Sequence, residues 1–184
     1  NSLTGWMRTP LCLFYFFVNM AAYCQQALHF NHLNVDNGLS QGVNNCIYKD
    51  SRGYIWISSF DGLNRFNGSN CIIYRSNPIH GTLFLNILED REGNMWIGSN
   101  HGLNKYERAY NRFTHFSVTE NNEEDNFLSP FYIDDLNIIW LQSGPNIYTL
   151  DPKSKKIVHY CSLAAEGNMF IRMQAAALYQ KARN

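Results

Sequence analysis

The sequence predicts an all-β fold, a partial β-propeller of about three four-stranded antiparallel blades. Three observations carry that reading. The stretch DSRGYIWISSFDGLNRF at residues 50–66 is written again, with its Asp, Gly and Trp at the same places, as DREGNMWIGSNHGLNKY at 90–106, with a looser third copy from Asp134. The tryptophans of the three copies, Trp56, Trp96 and Trp140, are spaced by 40 and 44 residues, the period at which four-stranded propeller blades repeat. The connections carry turn chemistry: Asp50 with Gly53 and Asp90 with Gly93 fit the first and fourth positions of a type I turn, which makes the flanking strands antiparallel.

The chain begins with a different pattern. Met7, one positive charge at Arg8, an apolar run from Leu11 to Val18 and small residues at Ala21 and Ala22 have the layout of a secretory signal peptide. The run is too short to span a bilayer. Residues 1–24 are therefore read as a leader, with residues 1–6 as an extension upstream of the start Met7, and with a buried N-terminal helix or strand as the alternative. Cleavage after Cys24 releases QQALHF; lipidation at Cys24 is the other processing route, and the bulk of Tyr23 stands against it.

Residues 25–161 are assigned to the blades. The segment 28–35 is expected to be a ring-closing strand, because HFNHLNVDNGLS from His29 parallels HFSVTENNEEDN from His115, where the last strand of the second blade falls. Blade 1 covers about 43–75, blade 2 about 83–116 and blade 3 about 129–160. In blade 1 the strands are placed at 45–49, 54–58, 63–66 and 70–75. Ile55 and Ile57 alternate with Trp56, so both faces of the second strand are apolar, as a sheet packed on both sides requires. Three further columns hold the register. Leu63, Leu103 and Ile147 lie seven residues after each Trp, Phe66, Tyr106 and Leu150 ten after, and Tyr74, Phe116 and Tyr160 eighteen to twenty after.

Asp50, Gly53, Trp56 and Gly62 thus match Asp90, Gly93, Trp96 and Gly102, with Asp134 and Trp140 in the third copy, where Asn137 replaces the turn glycine. A feature present in every blade serves the blade more often than a ligand. The tryptophans are therefore read as inter-blade packing residues, with sugar stacking as the alternative. Residues 162–184 form an incomplete or divergent, Ala-rich and helix-prone tail. A ring takes about four to eight blades, so the sequence reads as the N-terminal part of a longer protein or as a gene broken soon after residue 160.

Composition narrows the chemistry. Fifteen basic residues balance fifteen acidic ones over 184 residues, so no overall field favours nucleic acid or an anionic membrane. Beyond the leader the cysteines are Cys46, Cys71 and Cys161, without CxxC spacing. They read as small buried hydrophobes, with a Cys46 to Cys71 bridge as the alternative. Asp50 and Asp90 are expected to cap turns rather than to form a catalytic carboxylate pair. His80, His101, His115 and His159 lack metal-ligand spacing, and neither a metal nor a cofactor is expected. The loops at 60–62, 100–102 and 143–146 are candidates for ligand contact, since propeller ligands are usually met by loops. Arg65 and Lys105 are read as solvated strand positions, with orientation of sugar hydroxyls as the alternative. Asn67, in NGS, is read as a hairpin turn rather than a glycosylation site.

The runs GLSQGVNNCIYKDSRGYIWISSFDGLNRFNG and ILEDREGNMWIGSNHGLNKY resemble two-component regulator propeller repeats, as found in the periplasmic sensor region of Bacteroidetes hybrid two-component system proteins. The resemblance covers about residues 28–161 and is looser in blade 3. It implies a periplasmic ligand-sensing segment that recognises oligosaccharides and regulates polysaccharide-utilisation genes. It also implies a full-length histidine kinase that is a homodimer, held in the inner membrane by a downstream helix, with no nucleic acid contacted by this segment. The segment itself is then not an enzyme. The alternative is a fragment of a secreted propeller enzyme, a polysaccharide lyase or hydrolase, or a lectin-like propeller, since fold alone does not decide function.

Overall fold

The computed structural model describes residues 32–75, 77–118 and 127–163. The leader, the first half of the expected ring-closing strand and residues 164–184 of the tail lie outside the described residues.

Each copy of the repeat folds into four short strands. The first contains β1 (Asn44–Lys49), β2 (Ile55–Ser59), β3 (Leu63–Phe66) and β4 (Cys71–Tyr74). The second contains β5 (Phe84–Glu89), β6 (Met95–Ser99), β7 (Gly102–Glu107) and β8 (Arg112–Phe116), and the third β9 (Ser129–Ile133), β10 (Ile139–Ser143), β11 (Asn146–Asp151) and β12 (Lys156–Ser162). Every sheet is an antiparallel meander in chain order. No helix is present among the described residues, and the expected all-β partial propeller is what the chain forms. The first strand of the middle sheet, β5, lies against both β1 and β9, so the sheets converge at their first strands.

The repeated turn explains the repeated letters. The Gly53 and Gly93 amides donate to the Asp50 and Asp90 carbonyls at 3.0 and 2.9 Å, with φ of +88° and +80°. Blade 3 closes the same turn with Asn137 at φ +64°, donating to the Asp134 carbonyl at 3.0 Å. Asparagine is the non-glycine residue best suited to that region, so the departure in sequence leaves the turn intact.

The core lies between the sheets. Trp56 is buried with Ile87, Met95, Ile97 and Tyr106 of the second sheet, and Trp96 with Ile139, Leu141 and Leu150 of the third. The period of two makes this possible: Trp96 points to blade 3 while its neighbours Met95 and Ile97 point back to blade 1. The aromatic column packs on the same tryptophans, with Tyr74 stacked 6.1 Å from Trp56, Phe116 at 5.4 Å from Trp96 and Tyr160 at 4.9 Å from Trp140. Gly98 permits the second junction to close: a Cβ there would stand 2.3 Å from the Leu128 carbonyl oxygen.

The segment before β1 differs from expectation. Residues 32–34 form no strand, and Val35 opens a turn in which the Gly38 amide donates to the Val35 carbonyl at 3.0 Å. The physical reason is the sequence VDNG, whose Gly38 adopts φ +103° and reverses the chain. Past that turn Leu39 is buried, and the Ser40 amide donates to Asn64 Oδ1 at 2.8 Å. The connection into blade 2 repeats this arrangement, with Ile79 buried and the His80 amide donating to Asn104 Oδ1 at 2.9 Å. Residues 38–40 thus match the connection 78–80 between blades.

Candidate functional site

The recurring carboxylates are committed to their own turns. Asp50 Oδ1 accepts the Arg52 and Tyr54 amides, both at 2.9 Å, and Oδ2 accepts the Trp56 indole N–H at 2.8 Å. Asp90 does the same for Glu92, Asn94 and the Trp96 indole, at 3.0, 2.8 and 2.9 Å. Asp134 accepts from Leu136, Ile138 and Trp140, the last at a longer 3.4 Å. All three aspartates are buried. A buried carboxylate whose lone pairs are filled by fixed donors is a poor general base, because it has no free acceptor for a substrate proton.

The two ends of the blades offer different surfaces. At one end lie the β2–β3, β6–β7 and β10–β11 turns, which hold Gly62, Gly102 and residues 143–146. Ser59 and Ser99 donate their hydroxyls to the Gly62 and Gly102 carbonyls at 2.8 and 2.9 Å, and Phe60 stands exposed beside the first turn. Next to the second turn is an open cavity of about 380 Å³ lined by Asn77, Pro78, His80, Thr82 and His101. The His80 and His115 rings stack 4.4 Å apart, and His115 Nε2 meets the His101 carbonyl. Burial pushes the His115 pKa below its ordinary value; the His101 carbonyl opposes that, and the neighbouring His80 and His101 add to it. Among the described residues no group of three or more His, Cys, Asp or Glu is placed to hold a metal ion. Cys46, Cys71 and Cys161 are free thiols.

At the other end, where the Asp turns sit, the first two blades are joined by arginines. Arg65 is not a solvated strand position: it is half-buried on the face that meets the next blade, while Lys105 is half-buried at the matching place. The Arg65 guanidinium stands over the rings of Tyr54, Trp56, Tyr74 and Tyr106 at 5.2 to 5.8 Å, and Lys105 over Trp96 at 5.2 Å. Arg65 Nη1 donates to the Tyr106 hydroxyl at 2.8 Å, and that hydroxyl donates to Asn111 Oδ1 at 2.8 Å. Burial raises the Tyr74 pKa to about 12; Arg65 acts against this and Tyr106 with it.

Arg108, just past β7, reaches across the junction. Its Nη2 pairs with Asp50 Oδ2 at 3.0 Å and Glu89 Oε1 at 3.1 Å, with only 9% of the arginine side chain exposed. Glu89 in turn accepts the Ser51 amide and hydroxyl at 2.7 and 2.6 Å. Asn64, Asn104 and Arg108 are the working residues that sequence reasoning missed. The asparagines carried a signal, since each lies eight residues after its Trp. Arg108 carried none, because the position twelve after Trp is Gly68 in blade 1 and Pro152 in blade 3.

Comparison with known proteins finds a similarity for two stretches of the repeat. Residues 38–61 and 76–101 match the family described as two component regulator propeller. No curated protein matches the chain. The extracellular domain of a hybrid two component system from B. thetaiotaomicron is similar in fold, with a TM-score of 0.60 and 23% identity over 71% of this chain and 20% of that one. A streptogramin B lyase structure is also similar, with a TM-score of 0.54 and 12% identity over 67% of this chain and 42% of that one. The chain thus spans about a fifth of the length of the hybrid-system domain it resembles. Residues 38–61 and 76–101 are thus similar to two component regulator propeller repeats, within a partial β-propeller.

Proposed function

We propose that this chain is a ligand-sensing segment of an exported two-component sensor and that its ligand is an oligosaccharide. The observation that carries the reading is the match of both well-formed repeats to the two component regulator propeller family. Two features support it. The extracellular domain of a hybrid system has the same fold, and the leader pattern at residues 7–24 fits export to the periplasm. The recurring carboxylates are all held by turn amides and indoles, which leaves them structural and without a free acceptor for general-base work. In the full-length protein a membrane-anchored homodimer would pass the signal to a histidine kinase and to glycan-utilisation genes. The ligand must then favour one arrangement of the dimer, because equal binding to both shifts nothing.

The test is to titrate the complete periplasmic region with a panel of oligosaccharides by calorimetry while assaying the same mixtures for cleavage. Saturable binding without turnover is the expected result. Cleavage of a glycan that is lost on substitution within residues 28–161 would overturn it in favour of a propeller enzyme.

A further inference from the structure

We propose that the cleft between the first two blades is a carboxylate-binding site, fitted to an acidic saccharide such as a uronate. The carboxylate follows from the arginines; the saccharide framework rests on the sensing reading above. The cleft, of about 260 Å³, is lined by Arg52, Tyr54, Arg65, Tyr106, Arg108 and Asn111, together with Asp50 and Trp56. Two donors of these arginines, Arg65 Nε and Arg108 Nη1, are buried and have no acceptor in the folded chain. Among the described residues no carboxylate pairs with Arg65, whose charge is balanced only by ring faces. Arg108 already holds Asp50 and Glu89, so the three arginines of the cleft outnumber the two carboxylates they meet. One positive charge is left over.

A planar carboxylate matches that vacancy. It accepts N–H groups of guanidinium in pairs, where a neutral hydroxyl satisfies one at a time. The arrangement is also confined to this junction, which sets it apart from the devices that hold every blade together. At the second junction Lys105 takes the place of Arg65 over Trp96, and Pro152 takes the place of Arg108.

The experiment is calorimetric titration of the full chain with sodium galacturonate, with galactose and with sodium acetate, each at low and high salt. Galacturonate is expected to bind about tenfold more tightly than galactose, the factor that one charge-assisted hydrogen bond supplies, and to weaken as salt rises. Acetate is expected to bind more weakly at the same place. Arg65→Gln should lower galacturonate affinity about tenfold. Arg52→Glu, at an exposed position, should lower it several-fold with the melting temperature unchanged, and it decides the matter if Arg65→Gln does not fold. Equal binding of galacturonate and galactose, no binding of galacturonate, or wild-type affinity in the folded variants would overturn the proposal. Neutral-sugar binding that survives both variants would leave the sensing reading standing and remove only this site. Acetate binding as tightly as galacturonate would remove the saccharide half.

Discussion

At the scale of single residues, one carboxylate per blade does the work of a whole turn. Asp90 holds two backbone amides and the Trp96 indole, so it fixes the β5–β6 turn and the rotamer of the tryptophan that seals the next junction. Trp96→Ala should destabilise the chain by roughly 3 to 5 kcal/mol, the range for truncating a buried Trp to a cavity, read as a lowered midpoint in urea. Unchanged stability with a loss confined to sugar binding would make Trp96 a ligand platform instead. His115 gives a prediction in pH. Its folded pKa lies below the ordinary 6.5, so the unfolded chain takes up the proton first. Its contribution is fully present above about pH 6.5 and is lost as pH falls through the lower folded value. Removing the group with His115→Gln should flatten stability against pH in that window relative to the wild type; an equal slope in both proteins would show that other groups set it.

At the scale of elements, the strands and their turns were legible because they recur. Trp56, Leu63, Phe66 and Tyr74 could be read as one blade only because Trp96, Leu103, Tyr106 and Phe116 stand at the same offsets. The same method hid whatever occurs once. Arg108 has no counterpart, and the half-buried state of Arg65 depends on rings from Tyr106 and Tyr74, far apart in sequence. Residues 32–35 depart from the expected strand for a related reason: letters shared with residues 115–126 suggested a strand, while the turn at VDNG is set by local φ at Gly38. Gly98 separates two uses of glycine. Gly98→Ala drives a Cβ to 2.3 Å from backbone oxygen, so it should cost at least the 1 to 3 kcal/mol typical of overpacking and loosen the β6–β9 contact. Gly53→Ala meets open space and pays only for its positive φ, roughly 1 to 2 kcal/mol. Comparing the two melting curves checks the order; a larger loss for Gly53→Ala would refute the close-approach argument.

At the scale of the whole molecule, the sheets are similar modules whose junctions are not alike. The second junction is sealed by apolar groups, Trp96 against Ile139, Leu141 and Leu150, with only an exposed Arg91–Asp135 pair at its rim, where an ion pair is worth little. The first has an apolar core as well, but it also carries the Arg108 bridge to Asp50 and Glu89. Apolar contacts part gradually, whereas withdrawing one arginine strands two carboxylates, of which Asp50 is 1% and Glu89 9% exposed in their side chains. Blades 1 and 2 should therefore open as one cooperative unit while blade 3 opens by itself. Native-state amide exchange would display this as a common opening free energy for the β2 and β6 amides and a lower, separate one for β10, with Arg108→Met erasing the match. Independent exchange of the first two sheets in the wild type would contradict it. Arg108 then sets where the chain divides when it loosens: a repeat protein built of three equal sentences would fray as two units, the larger defined by a single side chain.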